Sequence, residues 1–424
     1  MQVFKFGGAS VKDATSVKNV AEIIKLYPGD DLVIVVSAMG KTTNELEKVV
    51  HTYFNDRENA HQQLNESKQY HQKILEDLFT DTTDPVFEKI NNFFVEIDWV
   101  LDEEPRSYGF VYDQIVSIGE LISTAIVSAY LNSIGIKNKW EDVRDILQTD
   151  NTWREAKVNW ELSTKLMSKK IPALFTSENH IVITQGFIGS TSENYTSTLG
   201  REGSDYTAAI LAHVLNADSV SIWKDVPGVL NADPKYFNDA QKLEQISYLD
   251  AIELAYYGAS VIHPKTIKPL ENKNIPLYVK SFLNPASKGT LIACNVETKP
   301  LIPSFIFKTN QVLVSILAKD FSFIAEENLS NIFSCFASCS IKLNLIQNSA
   351  ISFSVCMDND TEKLTRLVEL LQKDYKVLYN INLELYTIRH YFASTIDTLT
   401  QNREILLEQR SRNTAQIVMK VLEK

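Results

Sequence analysis

Two kinds of hydrophobic pattern alternate along the first 40 residues. Residues 2–6 and 32–37 are short apolar runs, and between them residues 11–26 repeat apolar positions at helical spacing. The second run is apolar without alternation, which is typical of a strand covered by helices on both faces. The order strand, Gly-rich turn, helix, strand predicts the βαβ start of a mainly parallel sheet.

The same alternation continues to about residue 280. Residues 44–102 are polar, with apolar positions at three- and four-residue spacing, which predicts helices at the rim of the sheet. The pattern therefore predicts an α/β fold class, with a mainly parallel central sheet covered by helices. Further helices are predicted at residues 115–131 and 206–215, and further strands at residues 180–184, 220–223 and 277–280, the last of which should close this domain.

Beyond Pro303 the elements become shorter. Strands are predicted at residues 311–317, 341–346, 352–357 and 376–379, and helices at residues 329–337 and 364–373. This β-α-β-β-α-β order is that of a ferredoxin-like α+β unit. A partial second copy follows, and its missing strand is predicted at residues 304–308. We therefore expect one domain at residues 1–297 and a tandem region at residues 304–424, its first unit at about 311–382 and its second at about 304–310 with 383–424.

Composition and charge narrow the class of protein. A chain of 424 residues is expected to form two or three domains. Its 44% hydrophobic and 22% charged residues are typical of water-soluble globular proteins. A net charge of −11 without a basic patch argues against nucleic acid as a partner. The sequence has neither an uninterrupted apolar run of membrane-spanning length nor a signal-peptide start, so we expect no membrane partner and a cytoplasmic location.

The four cysteines do not form a recognisable metal or redox motif. Cys294, Cys335, Cys339 and Cys356 match no CxxC pair, and a tetrahedral zinc site needs four ligands. We expect buried, reduced thiols and no metal site built from the protein's own side chains.

The first candidate for chemistry is Lys5, followed by Gly7 and Gly8. Lys5 stands at the end of the predicted first strand, where open α/β sheets bind ligands. Glycines let backbone N–H groups approach phosphate oxygens closely. The motif alone is weak, because glycines after strands are common and lysines are usually solvated. Its position nevertheless favours a phosphate cradle.

The second candidate is the run GREGSD at residues 200–205, which opens a predicted helix. It follows a Gly/Ser/Thr-rich stretch at residues 189–198 that we expect to be a flexible loop. Ser204 or Asp205 at this place can simply cap the helix. Capping requires neither the arginine nor the glycines, and helix N-termini bind anions through free N–H groups. Arg201 is therefore a candidate clamp for a carboxylate.

The third candidate, residues 223–235, is unremarkable as turn chemistry alone. Together and in this order, the segments resemble the aspartate kinase branch of the amino-acid kinase superfamily. The C-terminal pattern resembles paired ACT domains, so the resemblance covers essentially the whole chain. The matching segments are KFGGAS at 5–10, SAMGKTTN at 37–44, SIGELIST at 117–124, QGFIGS at 185–190, TLGREGSDYTAA at 198–209, WKDVPGVLNADPK at 223–235 and YGASVIHPKT at 257–266.

The resemblance implies roles for particular positions. Lys5 would stabilise charge on the transferred phosphoryl group, Asp205 would orient that lysine, and Gly7 and Gly8 would lie beneath the phosphates. The other implied contacts are with aspartate, through Thr43, Glu120 at its α-ammonium group, Arg201 at a carboxylate and Ser204, and with the nucleotide, through Lys224, Asp225 and Lys235.

The implied reaction uses ATP and Mg²⁺ to phosphorylate the side-chain carboxylate of L-aspartate, giving 4-phospho-L-aspartate, the first step of lysine, threonine and methionine biosynthesis. That carboxylate has an ordinary pKa of about 3.9, so it is ionised at neutral pH and needs no general base. Catalysis would rest on positioning and electrostatics. Some relatives are fused to a homoserine dehydrogenase. This chain stops after the ACT-like region, so we expect a monofunctional enzyme.

The ACT-like tail implies homodimers or higher oligomers and feedback inhibition by threonine or lysine. Residues 344–350 correspond to effector-contacting sequence, although polar residues there can also simply end a strand. Amide and hydroxyl groups favour neutral threonine, whereas Glu326 and Glu327 would supply the carboxylate that lysine needs. The candidate effector ligands are Asn344, Gln347 and Ser349.

Two positions depart from the family pattern. Glu202 stands where many relatives have glycine, and Ser260 replaces a lysine that some relatives place near the phosphates. Ser260 leaves open a catalytically impaired amino-acid sensor, which the retained Lys5, Arg201 and Asp205 argue against. The SIGELIST segment and the tail oppose a glutamate or acetylglutamate kinase. A nicotinamide-dependent dehydrogenase would need GxGxxG after the first strand, which is not present.

Overall fold

The computed structural model describes residues 1–259, 262–296, 301–320 and 322–421. These residues form two compact units. The first contains residues 1–229 and 242–255 with most of 260–297, and the second contains residues 230–241 and 256–259 with most of 298–424. Two segments of the predicted N-terminal domain thus pack with the C-terminal unit. The boundary after residue 297 stays a prediction, because residues 297–300 lie outside the described chain.

The first 296 residues alternate strands and helices, as the periodicity predicts. The strands are β1 Gln2–Phe6, β2 Leu32–Val36, β3 Lys139–Glu141, β4 Ile181–Gln185, β5 Ile188–Ser190, β6 Thr196–Thr198, β7 Ser219–Lys224, β8 Gln245–Ser247, β9 Leu277–Ser281 and β10 Thr290–Ala293. The helices are α1 Ala14–Lys25, α2 Thr42–Asn55, α3 Ala60–Leu78, α4 Pro85–Asp102, α5 Tyr108–Val116, α6 Ile118–Ser133, α7 Trp160–Leu174, α8 Gly203–Leu215, α9 Tyr248–Tyr257 and α10 Pro264–Glu271.

Eight strands form the main sheet, in the order β3-β4-β2-β1-β7-β9-β10-β8. Neighbouring strands are parallel except β9 and β10. In the middle of the sheet Phe4 of β1 pairs with Ile34 on one side and Ser221 on the other. Strands β2 and β4 are buried along their whole length, as non-alternating apolar runs predict. The predicted α/β fold class is confirmed.

Two expectations about local structure were wrong. Strand β9 does not close the sheet, because the short strand β10 follows and pairs with it antiparallel. Residues 189–198 are not a flexible loop, because β5 and β6 pair as an antiparallel hairpin whose strands are buried. Asn194 turns the hairpin with φ 62°, a conformation that asparagine tolerates. The serine and threonine residues of these two strands are typical of a loop in sequence. In the fold they are buried, and hydrogen bonds satisfy their hydroxyl groups.

Helices α5 and α6 form an apolar stretch, Tyr108–Ser133, that is long enough by length and composition to cross a membrane. However, 89% of its most apolar window is buried inside the fold. A helix that is hydrophobic all round is also typical of a globular core. One such stretch, mostly buried, is weak evidence for a membrane span.

The C-terminal unit is built on a second sheet, with strand order β12-β13-β11-β14-β16-β15. Its strands are β11 Ser304–Ala318, β12 Leu343–Asn348, β13 Ser352–Asp358, β14 Tyr375–Arg389, β15 Ile405–Arg410 and β16 Thr414–Lys420, and its helices are α11 Glu326–Ser338, α12 Thr361–Leu371 and α13 Ala393–Thr400. The first half has the ferredoxin-like order. In the second half residues 304–308 pair with residues 385–389. The predicted α+β class of this region is confirmed.

The long strands β11 and β14 bend between the two halves of this sheet. Asn310 and Asn382 adopt left-handed conformations, φ 50° and 55°, beside the register shifts. Gln416 Nε2 on β16 donates to the carbonyl oxygen of Asn344 on β12 at 3.2 Å, although other strands lie between them in the sheet. The two halves therefore pack face to face over a shared apolar cluster: Leu313, Leu345, Cys356, Leu383, Leu385, Leu407 and Val418.

The cysteines are free thiols in different environments. Cys339 and Cys356 are buried, Cys335 is partly buried and Cys294 is exposed, so the expectation of burial is wrong for Cys294. Burial raises the pKa of Cys356 to about 12.

Candidate active site

A cavity of about 870 Å³ opens in the first unit, where β1, β2 and β7 end. The carboxyl edge of a parallel sheet is the usual ligand position in open α/β folds. Seven of the side chains singled out from the sequence line this cavity together: Lys5, Thr43, Glu120, Arg201, Ser204, Asp205 and Lys224.

The centre of the cavity wall is a carboxylate between two lysines. Lys5 Nζ lies 2.7 Å from Asp205 Oδ1, and Lys224 Nζ lies 3.7 Å from Asp205 Oδ2. Burial alone would raise the pKa of the Asp205 carboxyl, but the two ammonium groups outweigh it and hold the pKa below its usual range. Asp205 is therefore ionised and holds Lys5 at the cavity.

The glycines after β1 allow close packing of backbone. A Cβ on Gly8 would lie 2.7 Å from the carbonyl oxygen of Ala38 and 2.9 Å from that of Gly40, which no side chain tolerates. A Cβ on Gly7 would lie 3.3 Å from Lys5 Nζ. Gly8 therefore lets this turn pack directly against the backbone of residues 38 and 40, beside Lys5.

Glu120 reaches the cavity from α6 and is almost fully buried. Its Oε1 accepts a hydrogen bond from the backbone N–H of Ala38 at 3.3 Å, while its Oε2 has no partner among the described residues. Burial raises the pKa of Glu120 to about 8, although the hydrogen bonds and Lys5 oppose that shift. A cationic ligand group at Oε2 would restore the ionised form.

Arg201 and Ser204 come from the segment that opens α8. The N-cap of this helix is Glu202, so Ser204 and Asp205 lie inside its first turn and do not cap it, contrary to the alternative raised by the sequence. A Cβ on Gly186 would lie 2.4 Å from Ser204 Cβ, which shows how closely the helix start approaches the end of β4. Arg201 is exposed, and nothing in the described part of the chain pairs with its guanidinium.

Four predicted nucleotide contacts are not among the residues that line the cavity: Gly7, Gly8, Asp225 and Lys235. Asp225 is exposed in the turn after β7. Lys235 is exposed in the segment 230–241, which belongs to the second unit. Their predicted roles stay predictions.

Several cavity residues were missed by sequence reasoning. Tyr112 of α5 and the segment Trp153, Arg154 and Glu155 all line the cavity. The Arg154 guanidinium lies 4.4 Å from the ring centre of Tyr112 and 3.5 Å from the Glu47 carboxylate. The segment is polar and lies outside regular elements, so no periodic signal marks it.

Comparison with known proteins identifies the family. The profile of the Amino acid kinase family matches residues 1–281. Aspartokinase 2, chloroplastic, of Arabidopsis thaliana is 32% identical over 394 residues, which cover 88% of this chain and 70% of the relative. The chain belongs to the aspartokinases. Lysine-sensitive aspartokinase 3 of Escherichia coli strain K12 is 32% identical over 362 residues, covering 84% of this chain and 78% of that protein.

Solved aspartokinase structures have the same fold. E. coli aspartokinase III in complex with lysine and aspartate, in the T-state, matches with a TM-score of 0.83 and 28% identity, covering 99% of this chain and 95% of that one. The same enzyme with aspartate and ADP, in the R-state, matches with a TM-score of 0.80 and 27% identity, covering 99% and 96%. The expected aspartate kinase family is confirmed.

The two departures from the aspartokinase pattern can now be located. Glu202 adopts φ 54°, the left-handed region that glycine enters without strain, which gives a physical reason for the glycine of many relatives. Its side chain lines the cavity, and its Oε2 is buried without a partner in the described structure. Ser260 lies outside the described residues.

The predicted effector residues of this aspartokinase differ in exposure. Gln347 and Ser349 are exposed at the end of β12 and after it. Asn344 instead belongs to an internal polar network: its Oδ1 accepts from Lys308 Nζ at 2.7 Å, and its Nδ2 donates to Gln311 at 2.8 Å and Asp358 at 3.0 Å.

Proposed function

We propose that this aspartokinase transfers the γ-phosphoryl group of MgATP to the side-chain carboxylate of L-aspartate, releasing ADP and 4-phospho-L-aspartate. This proposal rests on one observation, which is that the two walls of a single cavity carry different charged groups. One wall holds the Lys5–Asp205 pair with Lys224. The rest offers the Arg201 guanidinium and a Glu120 carboxylate oxygen that has no partner among the described residues. A zwitterionic amino acid and an anionic phosphate both find complementary charges there.

L-aspartate is bound through its α-amino-acid group. Arg201 takes the α-carboxylate with two parallel hydrogen bonds, and the ionised Glu120 takes the α-ammonium group. The hydroxyls of Thr43 and Ser204, both in the cavity wall, complete the contacts. The side-chain carboxylate is then left facing the phosphate wall.

The phosphate wall lowers the barrier by electrostatics. Attack of the aspartate carboxylate on the γ-phosphorus brings two anions together, and Lys5 stabilises the charge that builds on the transferred group. Asp205, held ionised, fixes Lys5 in place. The N–H groups after β1, at Gly7 and Gly8, cradle the phosphates. Mg²⁺ enters with ATP as part of the substrate, and Lys224 and Asp225, at and just after the end of β7, complete the nucleotide contacts.

We further propose that the C-terminal unit binds threonine or lysine as a feedback inhibitor and pairs with that of a second chain. The ferredoxin-like halves support this, and so does the lysine complex of the E. coli T-state structure. Exposed Gln347 and Ser349 are better placed for an effector than Asn344, whose amide is already bonded within its network. The enzyme would act in the cytoplasm at the start of lysine, threonine and methionine biosynthesis.

The catalytic proposal is tested by offering alternative acceptors. Acyl phosphate is trapped as the hydroxamate while ADP is measured in a coupled assay, with aspartate, glutamate or acetylglutamate as acceptor. Of the three acceptors, we expect only aspartate to be phosphorylated. Turnover with another acceptor instead would contradict the substrate, and amino-acid binding without any turnover would favour a catalytically impaired sensor.

The regulatory proposal is tested separately. Aspartate kinase activity is titrated with lysine, with threonine and with both, in the wild type and in Gln347→Ala. Allosteric coupling between two sites is typically worth about 1 to 3 kcal/mol. Inhibition that weakens in Gln347→Ala is expected. If neither amino acid binds or inhibits, the regulatory proposal fails while the catalytic one stands.

A further inference from the structure

The buried carboxylate of Asp113 lies beneath the aspartate side of the cavity and does not line it. Asp113 belongs to α5 and is fully buried. Its Oδ1 accepts from the hydroxyl of Thr198 at 2.7 Å, its Oδ2 accepts from the backbone N–H of Thr198 at 3.0 Å, and both oxygens accept from the backbone N–H of Arg154 at 3.1 Å. A buried carboxylate needs such donors, because desolvation without them is strongly unfavourable.

The two donor residues belong to two segments that each contribute residues to the cavity lining. Arg154 follows Trp153 and precedes Glu155, and all three line the cavity. Thr198 ends β6 and is followed within three residues by Gly200 and Arg201, which line the cavity as well. One side chain therefore holds the ends of two segments that approach the ligand from different parts of the chain.

The segment at Arg154 needs a tether. Arg154 has φ 70°, which is unfavourable for a residue with a Cβ. Gly200 also has a positive φ of 76°, and a Cβ there would lie 3.0 Å from Glu155 Cγ and 3.1 Å from the carbonyl oxygen of Arg154. The two segments thus touch at Gly200, so a shift of one displaces the other.

Asp113 is also connected to a third part of the cavity lining, through its own helix α5. Tyr112, its neighbour on α5, lines the cavity, and α6 follows directly with Glu120. The carboxylate therefore connects α5, which leads directly into the helix that carries Glu120, with the segment that carries Arg154 and the strand that leads to Arg201.

We propose that Asp113 is a positioning residue for the amino-acid substrate: it holds the Arg154 segment and the Thr198–Arg201 segment against α5, so that Arg201 and Glu120 face the same aspartate. The inference rests on the proposed function. Asp113 touches no ligand and acts through these segments. Lys5 and Lys224 are held by Asp205, so the nucleotide side does not depend on Asp113.

Asp113→Asn tests the proposal with a side chain of the same shape. The new amide places its N–H group opposite the backbone N–H donors of Arg154 and Thr198. Two donors cannot bond to each other, so the two segments separate from α5. Misplacing the binding groups should raise the KM for aspartate roughly tenfold or more. The kcat and the KM for ATP should change little. Isothermal titration with aspartate alone measures the same loss without turnover.

Thr198 supplies a milder pair of variants in case Asp113→Asn folds poorly. Thr198→Val removes the hydroxyl that donates to Asp113 and keeps the side-chain shape, so it should raise the KM for aspartate by a smaller factor. Thr198→Ser keeps the hydroxyl and should restore wild-type behaviour. Asn138→Ala is the matched control for stability, because Asn138 is a buried, hydrogen-bonded amide just before β3, at the opposite edge of the sheet.

The pH profile gives a readout that a purely structural role would not move. Burial raises the pKa of Asp113 to about 6, with the Thr198 and Arg154 donors and the Arg154 charge opposing that shift. As the pH falls through 6 the carboxyl gains a proton and loses acceptor strength, so the wild-type KM for aspartate should rise. Asp113→Asn should flatten that rise. Neighbouring Tyr112 has its pKa raised to about 12 and stays neutral, whereas Glu120 titrates equally in both proteins.

The outcomes separate cleanly. A raised aspartate KM with the kcat and ATP KM retained, and a flattened acid limb, supports the proposal. An unchanged aspartate KM and pH profile in both Asp113→Asn and Thr198→Val overturns it, and so does an equal loss for aspartate and ATP. A wild-type enzyme that phosphorylates no aspartate overturns the proposed function first, before any variant is compared.

Discussion

Glu202→Gly should stabilise this aspartokinase, against the usual trend of substitutions in an active-site wall. Glu202 is the N-cap of α8 with φ 54° and ψ 30°, a left-handed conformation that is strained for glutamate. Its Oε2 is buried without a hydrogen-bond partner in the described structure. Glycine removes both the strain and the unsatisfied oxygen.

The expected change in the free energy of unfolding is the sum of four contributions. Relief of the left-handed conformation is worth about 1 to 2 kcal/mol, and removal of an unsatisfied buried acceptor about 1 to 3 kcal/mol. The greater freedom of glycine in the unfolded chain opposes this by about 0.4 to 1 kcal/mol. Loss of a negative charge at the helix N-terminus opposes it by about 0.3 to 1 kcal/mol. Together these contributions give a net stabilisation of about 2 kcal/mol, within a range of about 0 to 4 kcal/mol.

The assay is equilibrium urea unfolding followed by tryptophan fluorescence. All 5 tryptophans belong to the first unit, so the signal reports the unit that contains Glu202. Glu202→Ala is the matched control, because it removes the oxygen and keeps the strain. The free energy of unfolding of Glu202→Ala should be lower than that of Glu202→Gly by about 1 kcal/mol. Equal unfolding midpoints for the glycine and alanine variants, or a glycine variant less stable than the wild type, would refute the reasoning.

Three further predictions concern the catalytic groups. Lys5→Ala should lower kcat by about a hundredfold or more, because it removes a donor to the transferred phosphoryl group. If steady-state assays find the wild-type kcat, Lys5 takes no part in the chemistry. Arg201→Ala should raise the KM for aspartate strongly and leave that for ATP nearly unchanged, because one carboxylate loses its clamp; an unaltered aspartate KM would remove Arg201 from the substrate site. Glu120 has its pKa raised from 4.5 to about 8 in the folded protein, so it retains a proton that the unfolded chain releases between those values. Its contribution to stability should fall as the pH rises through that window, while aspartate binds more tightly as the carboxyl ionises. Glu120→Gln should abolish both trends in thermal unfolding and in titration with aspartate.

Much of the candidate site could be predicted because its groups follow strand ends. Lys5 and Lys224 lie at the ends of β1 and β7, which pair in parallel, so their side chains meet at one edge of the sheet. Asp205 opens a helix at the same edge. Residues of this kind are marked by the chain's own periodicity, and their association follows from the parallel order.

Other parts of the site could not be predicted from the sequence. Residues 189–198 resemble a loop, yet β6 is a buried strand, because Asp113 accepts the hydroxyl and the backbone N–H of Thr198. Trp153, Arg154 and Glu155 belong to no regular element, and only tertiary contact places them at the cavity. Asn344 is a candidate effector ligand by its position in the sequence, and only the fold shows that its amide is bonded to Lys308, Gln311 and Asp358.

The amino-acid sequence by itself therefore determined the alternation of strands and helices, the parallel sheet, the ferredoxin-like tail and the place of Lys5 at a strand end, because each depends on local periodicity or on position in a strand. Only the tertiary structure decided which buried polar groups are satisfied. Glu120 and Asp113 are both buried carboxyls on the consecutive helices α6 and α5. Asp113 is fully hydrogen-bonded, whereas one Glu120 oxygen has no partner in the described part of the chain. That difference is set by donors from residues 38, 154 and 198, which are distant in the chain and meet only in the fold.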